Sequence, residues 1–186
     1  MTEPRIPPLP VEQWDDGARA ALDGVFPANV VDAWVAGAAP VPNVVSTMLQ
    51  HPKLAGPWLA YNNVLLWSPT LTDRRRELLV LRVARKANSA YEWAQHVKLA
   101  DRFGITAADI DAIEHDRAND AWTPFERALI DSTDQLVDTH CIADDTWAQL
   151  AQELDQRQLV ELVFVVGTYT CLAMAFNSFG MQLDES

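Results

Sequence analysis

The chain has 186 residues, a formal net charge of −12 at pH 7, and hydrophobic side chains at 49% of its positions. This length and apolar content predict a globular protein with a sizeable core, and they exclude an intrinsically disordered chain. The acidic balance excludes nucleic acid as an expected partner, because like charges repel. The two cysteines, Cys141 and Cys171, form neither a CxxC pair nor a zinc spacing. Such cysteine usage fits a reducing compartment and predicts a cytoplasmic protein.

The first ten residues, MTEPRIPPLP, predict an extended arm over residues 1–10, because four prolines remove backbone donors and disfavour helix. The segment has no apolar stretch of the kind that a signal peptide needs. Such an arm is suited to lying across the body of the protein or across a neighbouring subunit. The remaining residues, 11–186, are expected to form a single all-helical domain.

Apolar residues at helical spacing, interrupted by prolines, glycines and capping residues, predict a series of helices joined by short loops. Their predicted ranges are 11–22, 30–35, 42–49, 53–66, 72–87, 90–103, 106–115, 124–137, 145–154 and 156–179. No stretch predicts a strand. The expected fold class is therefore all-α, a compact helical bundle.

Capping residues mark most of the later helix starts. The predicted N-caps are Thr72, Ser89, Thr106, Thr123, Asp144 and Asp155. Two of these have a glutamate three residues later, Ser89 with Glu92 and Thr123 with Glu126, which predicts a capping box at each.

The longest apolar run, residues 159–179, is interrupted by polar residues such as Thr168, Tyr169 and Asn177. These interruptions make it too polar and too broken for a membrane span, so it is expected to be a buried core helix. No membrane partner is expected.

Two carboxylates and an imidazole stand out in the middle of the chain. Glu92 and His96 are four residues apart on one predicted helix, so they lie on the same face one turn apart. Glu77 lies on the preceding helix, which is apolar on most sides and expected to be central. A carboxylate beside an imidazole can move protons near neutral pH, so Glu77, Glu92 and His96 are candidate catalytic residues. Structural alternatives stay open: a capping box for Glu92 with Ser89, an ion pair for Glu77 with Arg82, Arg85 or a residue across the bundle, and a half-buried, hydrogen-bonded His96.

Three neighbouring residues are candidates for substrate binding: Arg82, Tyr91 and Trp93. Arg82 is suited to anchoring a carboxylate, and the two rings to bordering an apolar cavity. Alternatively, Arg82 holds the bundle together and both rings belong to the core. The sequence shows no cluster with metal-ligand spacing and no glycine-rich phosphate loop, so neither a metal nor an organic cofactor is expected.

Three short stretches together resemble the carboxymuconolactone decarboxylase family, which includes alkylhydroperoxidase D. They are Arg76-Glu77-Leu78, Glu92-Trp93-Ala94-Gln95-His96 and Gly104-Ile105-Thr106. The resemblance extends more loosely over residues 42–180 and includes residues 123–129. It implies a compact all-helical fold that assembles as trimers or hexamers, with a pocket near the motif and close to a subunit boundary.

The resemblance also separates two branches of the family. In the peroxidase branch the motif looks like CxxC followed by a histidine, with an upstream glutamate in a proton relay. The two cysteine positions fall on Ser89 and Glu92, the histidine on His96 and the upstream carboxylate on Glu77. Both thiols are absent here, whereas Glu92 and His96 match the Glu-Leu-x-x-His of the decarboxylase branch in type and spacing.

The function that these residues predict is a lyase or isomerase without a cofactor, acting on a small carboxylic acid or lactone. In this interpretation His96 donates a proton to carbon, Glu92 steers or relays it, and Glu77 sets the charge of the histidine. Two alternatives remain: a thiol-dependent, peroxidase-like antioxidant protein, which the missing CxxC disfavours, and a non-catalytic binding protein on the same fold.

A homo-oligomer, either a trimer or a hexamer, is expected. The chain carries seven tryptophans, and several of the predicted helices are too short to bury all their apolar faces internally. The expected partners are therefore a small-molecule substrate and further copies of the same chain.

Overall fold

The computed structural model describes residues 3–116 and 118–184. Ten α-helices follow one another: α1 Asp16–Ala20, α2 Ala28–Val35, α3 Asn43–Met48, α4 Pro52–Trp67, α5 Asp73–Lys86, α6 Ala90–Leu99, α7 Ala107–Glu114, α8 Pro124–Thr139, α9 Asp144–Leu150 and α10 Gln156–Phe179. Two short 3-10 helices, Val11–Gln13 and Ala100–Phe103, precede α1 and follow α6. No strand occurs among the described residues, and the predicted all-α class is confirmed.

Three predicted helices are clearly shorter than expected, and the one predicted over residues 145–154 ends at Leu150. The predicted helix over residues 11–22 is broken, because Asp15 adopts an extended conformation and its side chain accepts a hydrogen bond from the backbone N–H of Ala18. The predicted helix over residues 90–103 changes from α to 3-10 geometry after Leu99 and ends at Gly104 with a positive φ of 72°. A glycine adopts this left-handed conformation without steric cost.

The chain divides into two compact units, and the first comprises Met1–Ser68 and Ser178–Ser186. Its core contains Trp14, Leu22, Trp34, Leu49 and Leu59. The N-terminal arm lies on this unit: the N–H groups of residues 5 and 6 donate to the carbonyl of residue 179, at 2.7 and 3.2 Å, and that of residue 9 donates to the carbonyl of residue 46. Residues 1 and 2 of the predicted arm lie outside the described residues. A single domain over residues 11–186 stays a prediction.

The second unit comprises Pro69–Asn177, and α5 is its central element. Every residue from Arg76 to Ala84 is buried, and α5 packs against α6, α7 and α8. The central position follows from the sequence, because the run from Leu78 to Ala84 is apolar apart from Arg82 and has no face suited to water. The polar residues in this stretch must therefore find partners inside the protein.

The predicted caps were confirmed at some helices and wrong at others. Thr123 and Glu126 form the predicted capping box, and the Thr72 side chain accepts from the N–H of residue 75. The predicted capping box of Ser89 and Glu92 is wrong, since the Ser89 side chain makes no capping hydrogen bond. The predicted cap at Asp144 is also wrong, because that residue is already the first residue of α9.

Helix α10 is long and apolar enough, by length and composition, to cross a membrane: the mean hydropathy of its most apolar window is 2.0. The expectation that its polar residues exclude a span on composition alone is therefore wrong. Half of that window is nevertheless buried inside the protein, and Leu162, Val165 and Ala173 are among its buried residues. Burial of this kind is typical of a core helix in a globular protein.

Candidate functional site

Helices α5, α6 and α10 bring a group of polar side chains into the interior of the second unit. Glu77 on α5 and Glu92 on α6 are 0% and 2% exposed, and Tyr169 on α10 is 4% exposed. His96, also on α6, is half-buried. We call Glu77, Glu92, His96 and Tyr169 the polar cluster. It contains all three residues that the sequence identified as candidate catalytic residues.

The closest contact in the polar cluster joins Nδ1 of His96 to Oε1 of Glu77. Asn88, with a positive φ of 51°, turns the chain between the two helices, and α6 packs alongside α5. A carboxylate oxygen accepts the hydrogen bond that an imidazole N–H donates, and the contact is consistent with a proton on Nδ1. The contact therefore orients the ring and leaves Nε2 as the ring nitrogen outside this contact. The alternative in which Glu77 pairs with Arg82 is wrong.

Glu92 is buried without compensation. Neither of its carboxyl oxygens has a hydrogen-bond partner among the described residues. Burial raises the pKa of Glu92 from 4.5 to about 8, although the nearby Ser89 hydroxyl opposes this by favouring the charged form. Ser89 lies close but is not aligned for a hydrogen bond, since its own Oγ has no partner in the described part of the chain. Glu92 is therefore mainly a neutral acid near pH 7, with a proton to give.

Tyr169 packs against the histidine of the polar cluster and feels the charges of its two carboxylates. Its ring meets the His96 ring edge-to-face, with 5.2 Å between the centroids and 79° between the planes. Burial, and then the charges of Glu77 and Glu92, raise the pKa of Tyr169, while Arg76 lowers it. The phenol is accordingly neutral at any physiological pH. Its sequence position, more than 70 residues after His96, gave no signal of this role.

Arg76 is a second residue whose importance the sequence did not show. It is 2% exposed, and Nε and Nη1 have no hydrogen-bond partner among the residues described. Nη1 nevertheless forms an ion pair, without a hydrogen bond, with a carboxylate oxygen of Asp73 at 3.1 Å. The guanidinium lies 5.3 Å from the ring centroid of Phe103. A buried cation next to Glu77 in the chain contributes positive charge to the surroundings of Tyr169.

The structure places Arg82 in an ion pair. Its Nε and Nη2 atoms donate to the two carboxylate oxygens of Asp134 on α8, both at 2.6 Å, and Nη1 contacts Asp116. Burial lowers the pKa of Arg82, but these carboxylates outweigh it and raise the pKa overall. This geometry corresponds to the structural alternative, in which Arg82 holds α5 and α8 together. A substrate-binding role for Arg82 stays a prediction.

The two aromatic candidates have different surroundings. Tyr91 is buried, and its ring packs edge-to-face on Phe176 with 5.1 Å between centroids. Trp93 is half-buried and lines an open groove of about 480 Å³ at the start of α6, together with Ser89 and Arg85. Of the two rings, the structure therefore places Trp93 at a cavity and Tyr91 in the core.

Residues 3–116 and 118–184 contain no group of three or more histidine, cysteine, aspartate or glutamate side chains placed to hold a metal ion. Cys141 and Cys171 are both free and exposed. Cys141 follows the end of α8 and Cys171 lies on α10.

Residues 52–135 match the sequence model of the Carboxymuconolactone decarboxylase family. The matched stretch runs from the start of α4 into α8 and contains Glu77, Glu92 and His96. Tyr169 lies outside it. No curated protein matches the chain at a significant level.

Solved structures share the fold at low sequence identity. An uncharacterized peroxidase-related protein from Ralstonia eutropha JMP134, described as an alkylhydroperoxidase AhpD core, is 16% identical, with a TM-score of 0.79 over 100% of this chain and 94% of that one. The debrominase Bmp8, in complex with 2,3,4-tribromopyrrole, is 14% identical, with a TM-score of 0.72 over 98% and 93%. A putative antioxidant defence protein AhpD from Agrobacterium tumefaciens is 21% identical, with a TM-score of 0.66 over 75% and 96%. At these identities the likeness shows the fold alone.

Proposed function

We propose that the protein is a lyase that acts on a small carboxylic acid or lactone without a cofactor, and the match of residues 52–135 to the carboxymuconolactone decarboxylase family model supports this proposal. The observation that carries the proposal is the polar cluster. In it a histidine oriented by Glu77 stands in the same buried group as Glu92, a carboxyl with a pKa of about 8. An oriented base and a neutral acid in one site are what general acid–base catalysis requires.

The proposed reaction needs a substrate, such as a lactone acid, whose carboxylate stands on a carbon conjugated with a carbonyl group. The bond between this carboxylate and that carbon breaks. The electron pair stays on the substrate as an enolate, and carbon dioxide leaves. The enolate carbon then takes a proton from the neutral carboxyl of Glu92, which later recovers a proton from solvent through His96. This proposal reverses the roles that the sequence suggested for the two residues, because burial keeps Glu92 protonated near pH 7. Glu77 holds the His96 ring throughout, so that Nε2 performs this exchange.

Tyr169 and Arg76 serve this chemistry through electrostatics. The neutral phenol of Tyr169 packs edge-to-face on the His96 ring and helps to hold it in place. The buried guanidinium of Arg76 supplies a positive charge, which favours negative charge developing on a substrate oxygen. Both residues are positioning groups in this proposal.

The test is carbon dioxide release from a series of small lactone acids, followed with the wild-type protein and with His96→Ala and Glu92→Gln. Both substitutions are expected to lower turnover by at least about 100-fold, the usual contribution of one general acid or base. His140→Ala and Glu12→Gln, at exposed positions, are the matched controls and should retain full activity. Turnover that survives both His96→Ala and Glu92→Gln would contradict the proposal.

A peroxidase-like antioxidant activity is the second candidate, because solved relatives of the same fold carry that description. It needs a thiolate nucleophile and a resolving thiol, and the only thiols of this chain, Cys141 and Cys171, are exposed. Peroxide consumption that disappears in Cys141→Ser or Cys171→Ser would favour this activity over the lyase. Peroxide consumption at the background rate would exclude the peroxidase-like activity. A protein inactive in both assays would be assigned to the remaining alternative, a non-catalytic binding protein.

The cellular setting is part of the proposal. A reducing cytoplasm suits two free, exposed cysteines.

We also propose a homo-oligomer, a trimer or a hexamer, because large apolar side chains remain exposed on α10, among them Val160 and Met174. Uncovered apolar surface of this kind is commonly an interface between subunits.

A further inference from the structure

The groove at the start of α6, which Ser89, Trp93 and Arg85 line, is not accounted for by the proton chemistry. It holds about 480 Å³, a volume typical of small-molecule sites. We propose that it binds the carboxylate of a planar, unsaturated or aromatic acid at Ser89 and the N-terminus of α6, with Arg85 as counter-charge and Trp93 against the body of the molecule. This subsite rests on the proposed lyase function, since it delivers a substrate to Glu92.

Ser89 gives the first reason. It is 1% exposed and lines the groove. Its Oγ has no hydrogen-bond partner among the residues that the structure describes. A buried hydroxyl is normally hydrogen-bonded, because leaving it unpaired is costly. A ligand oxygen in the groove would satisfy this donor.

The N-terminus of α6 gives the second reason. The helix has ten residues, Ala90–Leu99, and its first residue lines the groove. The side chain of Ser89 does not cap it. The first N–H groups of a helix point out of its end and carry partial positive charge, so this end attracts an anion. The hydroxyl and the helix end therefore favour the same kind of ligand.

Arg85 adds a full positive charge to the wall. Its Nε donates to the backbone carbonyl of Glu114 at 2.6 Å, which fixes the side chain. The nearest carboxylate contact, with Asp116, is long at 3.6 Å. His115 lines the groove as well, and the acidic side chain of Glu114 lies at its exposed rim. Because two acids, Asp116 and Glu114, offset part of the charge of Arg85, Ser89 and the helix end are needed for selectivity.

The body of the ligand follows from the remaining walls. Ala84 and Ala90 are small and apolar, and Trp93 presents a half-buried ring one helical turn after Ser89. A flat ring or conjugated chain stacks on an indole better than a branched one does. The position also fits the reaction, because Ser89 lies near Glu92 and affects its ionisation. A carboxylate bound at Ser89 would disfavour ionisation of Glu92 further, and so keep it an acid.

The test is a titration of the protein with 4-fluorobenzoate, followed by fluorine NMR. Ser89→Ala and Arg85→Gln are each expected to weaken binding about tenfold, the effect of losing one hydrogen bond to a charged group. Ser132→Ala, which removes another fully buried serine hydroxyl, and Arg157→Gln, at an exposed arginine, are the matched controls and should bind as the wild type does. Fluorobenzamide, which has the same shape without the charge, should bind at least about tenfold more weakly.

The outcomes separate this inference from the proposed function. Binding that weakens in Ser89→Ala and Arg85→Gln supports the subsite even if no lactone acid is decarboxylated. Equal binding of the acid and the amide, or equal binding by the wild type and both variants, overturns the subsite even if the protein turns over a substrate. Undetectable binding at millimolar concentration also overturns it. Circular dichroism of each variant confirms that a loss of binding is not a loss of fold.

Discussion

The Nδ1 atom of His96 faces the carboxylate of Glu77 inside the second unit, across the packing of α6 on α5. Glu77 is completely buried and its other oxygen, Oε2, has no hydrogen-bond partner in the described part of the chain. A carboxylate held in this way is poorly suited to a purely structural role, because half of its hydrogen-bonding capacity is unused. Its chemical consequence is a fixed imidazole with Nε2 available.

Glu77→Gln tests this relationship. The amide keeps the shape of the side chain, but its NH₂ group can donate to Nδ1 and select the wrong tautomer of His96. We expect the turnover number for the lyase substrate to fall about 100-fold, with little change in KM. Steady-state kinetics measure this, and Glu153→Gln, at an exposed glutamate, is the control. Full activity of Glu77→Gln would show that the contact does not serve catalysis.

The second prediction concerns pH and Glu92. Its pKa is about 8 in the folded protein against 4.5 for an ordinary glutamate, so the folded state holds a proton that the unfolded state has lost. The stability contribution is fully present below about pH 4.5 and is lost as pH rises through about 8. The total loss is roughly 5 kcal/mol at most.

Urea unfolding of the wild type and of Glu92→Gln, at about pH 5 and about pH 9, measures this difference. The neutral amide cannot ionise, so the variant should gain stability relative to the wild type as pH rises. Equal pH dependence in the two proteins would mean that Glu92 is not a buried acid. Glu12→Gln, an exposed position, should behave like the wild type.

The third prediction separates the two roles considered for Arg82. Because its guanidinium binds both oxygens of Asp134, Asp134→Asn should destabilise the protein by about 1–3 kcal/mol. Asp138→Asn, one turn later on α8, removes the partner of Lys86. That carboxylate is 55% exposed, so its loss should cost about 0.5 kcal/mol or less.

Kinetics of the same pair of variants decide the function of Arg82. If Arg82 only holds the bundle together, the KM of Asp134→Asn should equal that of the wild type when both are measured well below the unfolding temperature. A KM for an acidic substrate that falls when Asp134 is neutralised would indicate that the freed guanidinium binds substrate. Arg82 would then recover the role that the sequence suggested.

Much of the second unit was predictable because its signals are local. The apolar run around Glu77 predicted a central helix, and Thr123 with Pro124 and Glu126 predicted the start of α8 correctly. The spacing of Glu92 and His96 placed both on one helix. These features depend on residues within one or two turns of each other, where sequence patterns are most informative.

The rest of the candidate site depends on packing between distant segments. Tyr169 reaches the His96 ring only because α10 lies in the same unit, and nothing within α10 marks it. The local pattern was misleading at Ser89 and Glu92. Their spacing suits a capping box, but the Glu92 side chain is buried and Ser89 lies in the wall of the groove. Tertiary packing outweighed the local hydrogen bonds here.

The last prediction concerns assembly through α10. Val160 and Met174 are 58% and 65% exposed, and Gly167 and Cys171 lie exposed between them on the same side of the helix. Spacings of seven, four and three residues keep all four positions on one face. Such a stripe loses stability in water and gains it when a second copy of the chain covers it.

Val160→Glu and Met174→Glu each place a charge on this stripe without touching the core, so each should shift the protein from oligomer to monomer while leaving helix content unchanged. Light scattering at micromolar concentration measures the mass, which for the monomer is 20.7 kDa. Trp147→Glu, at an exposed apolar position on α9, is the control and should keep the wild-type mass. A wild-type mass of one chain at every protein and salt concentration would refute the predicted trimer or hexamer. An oligomer that both substitutions leave intact would place its interface away from α10.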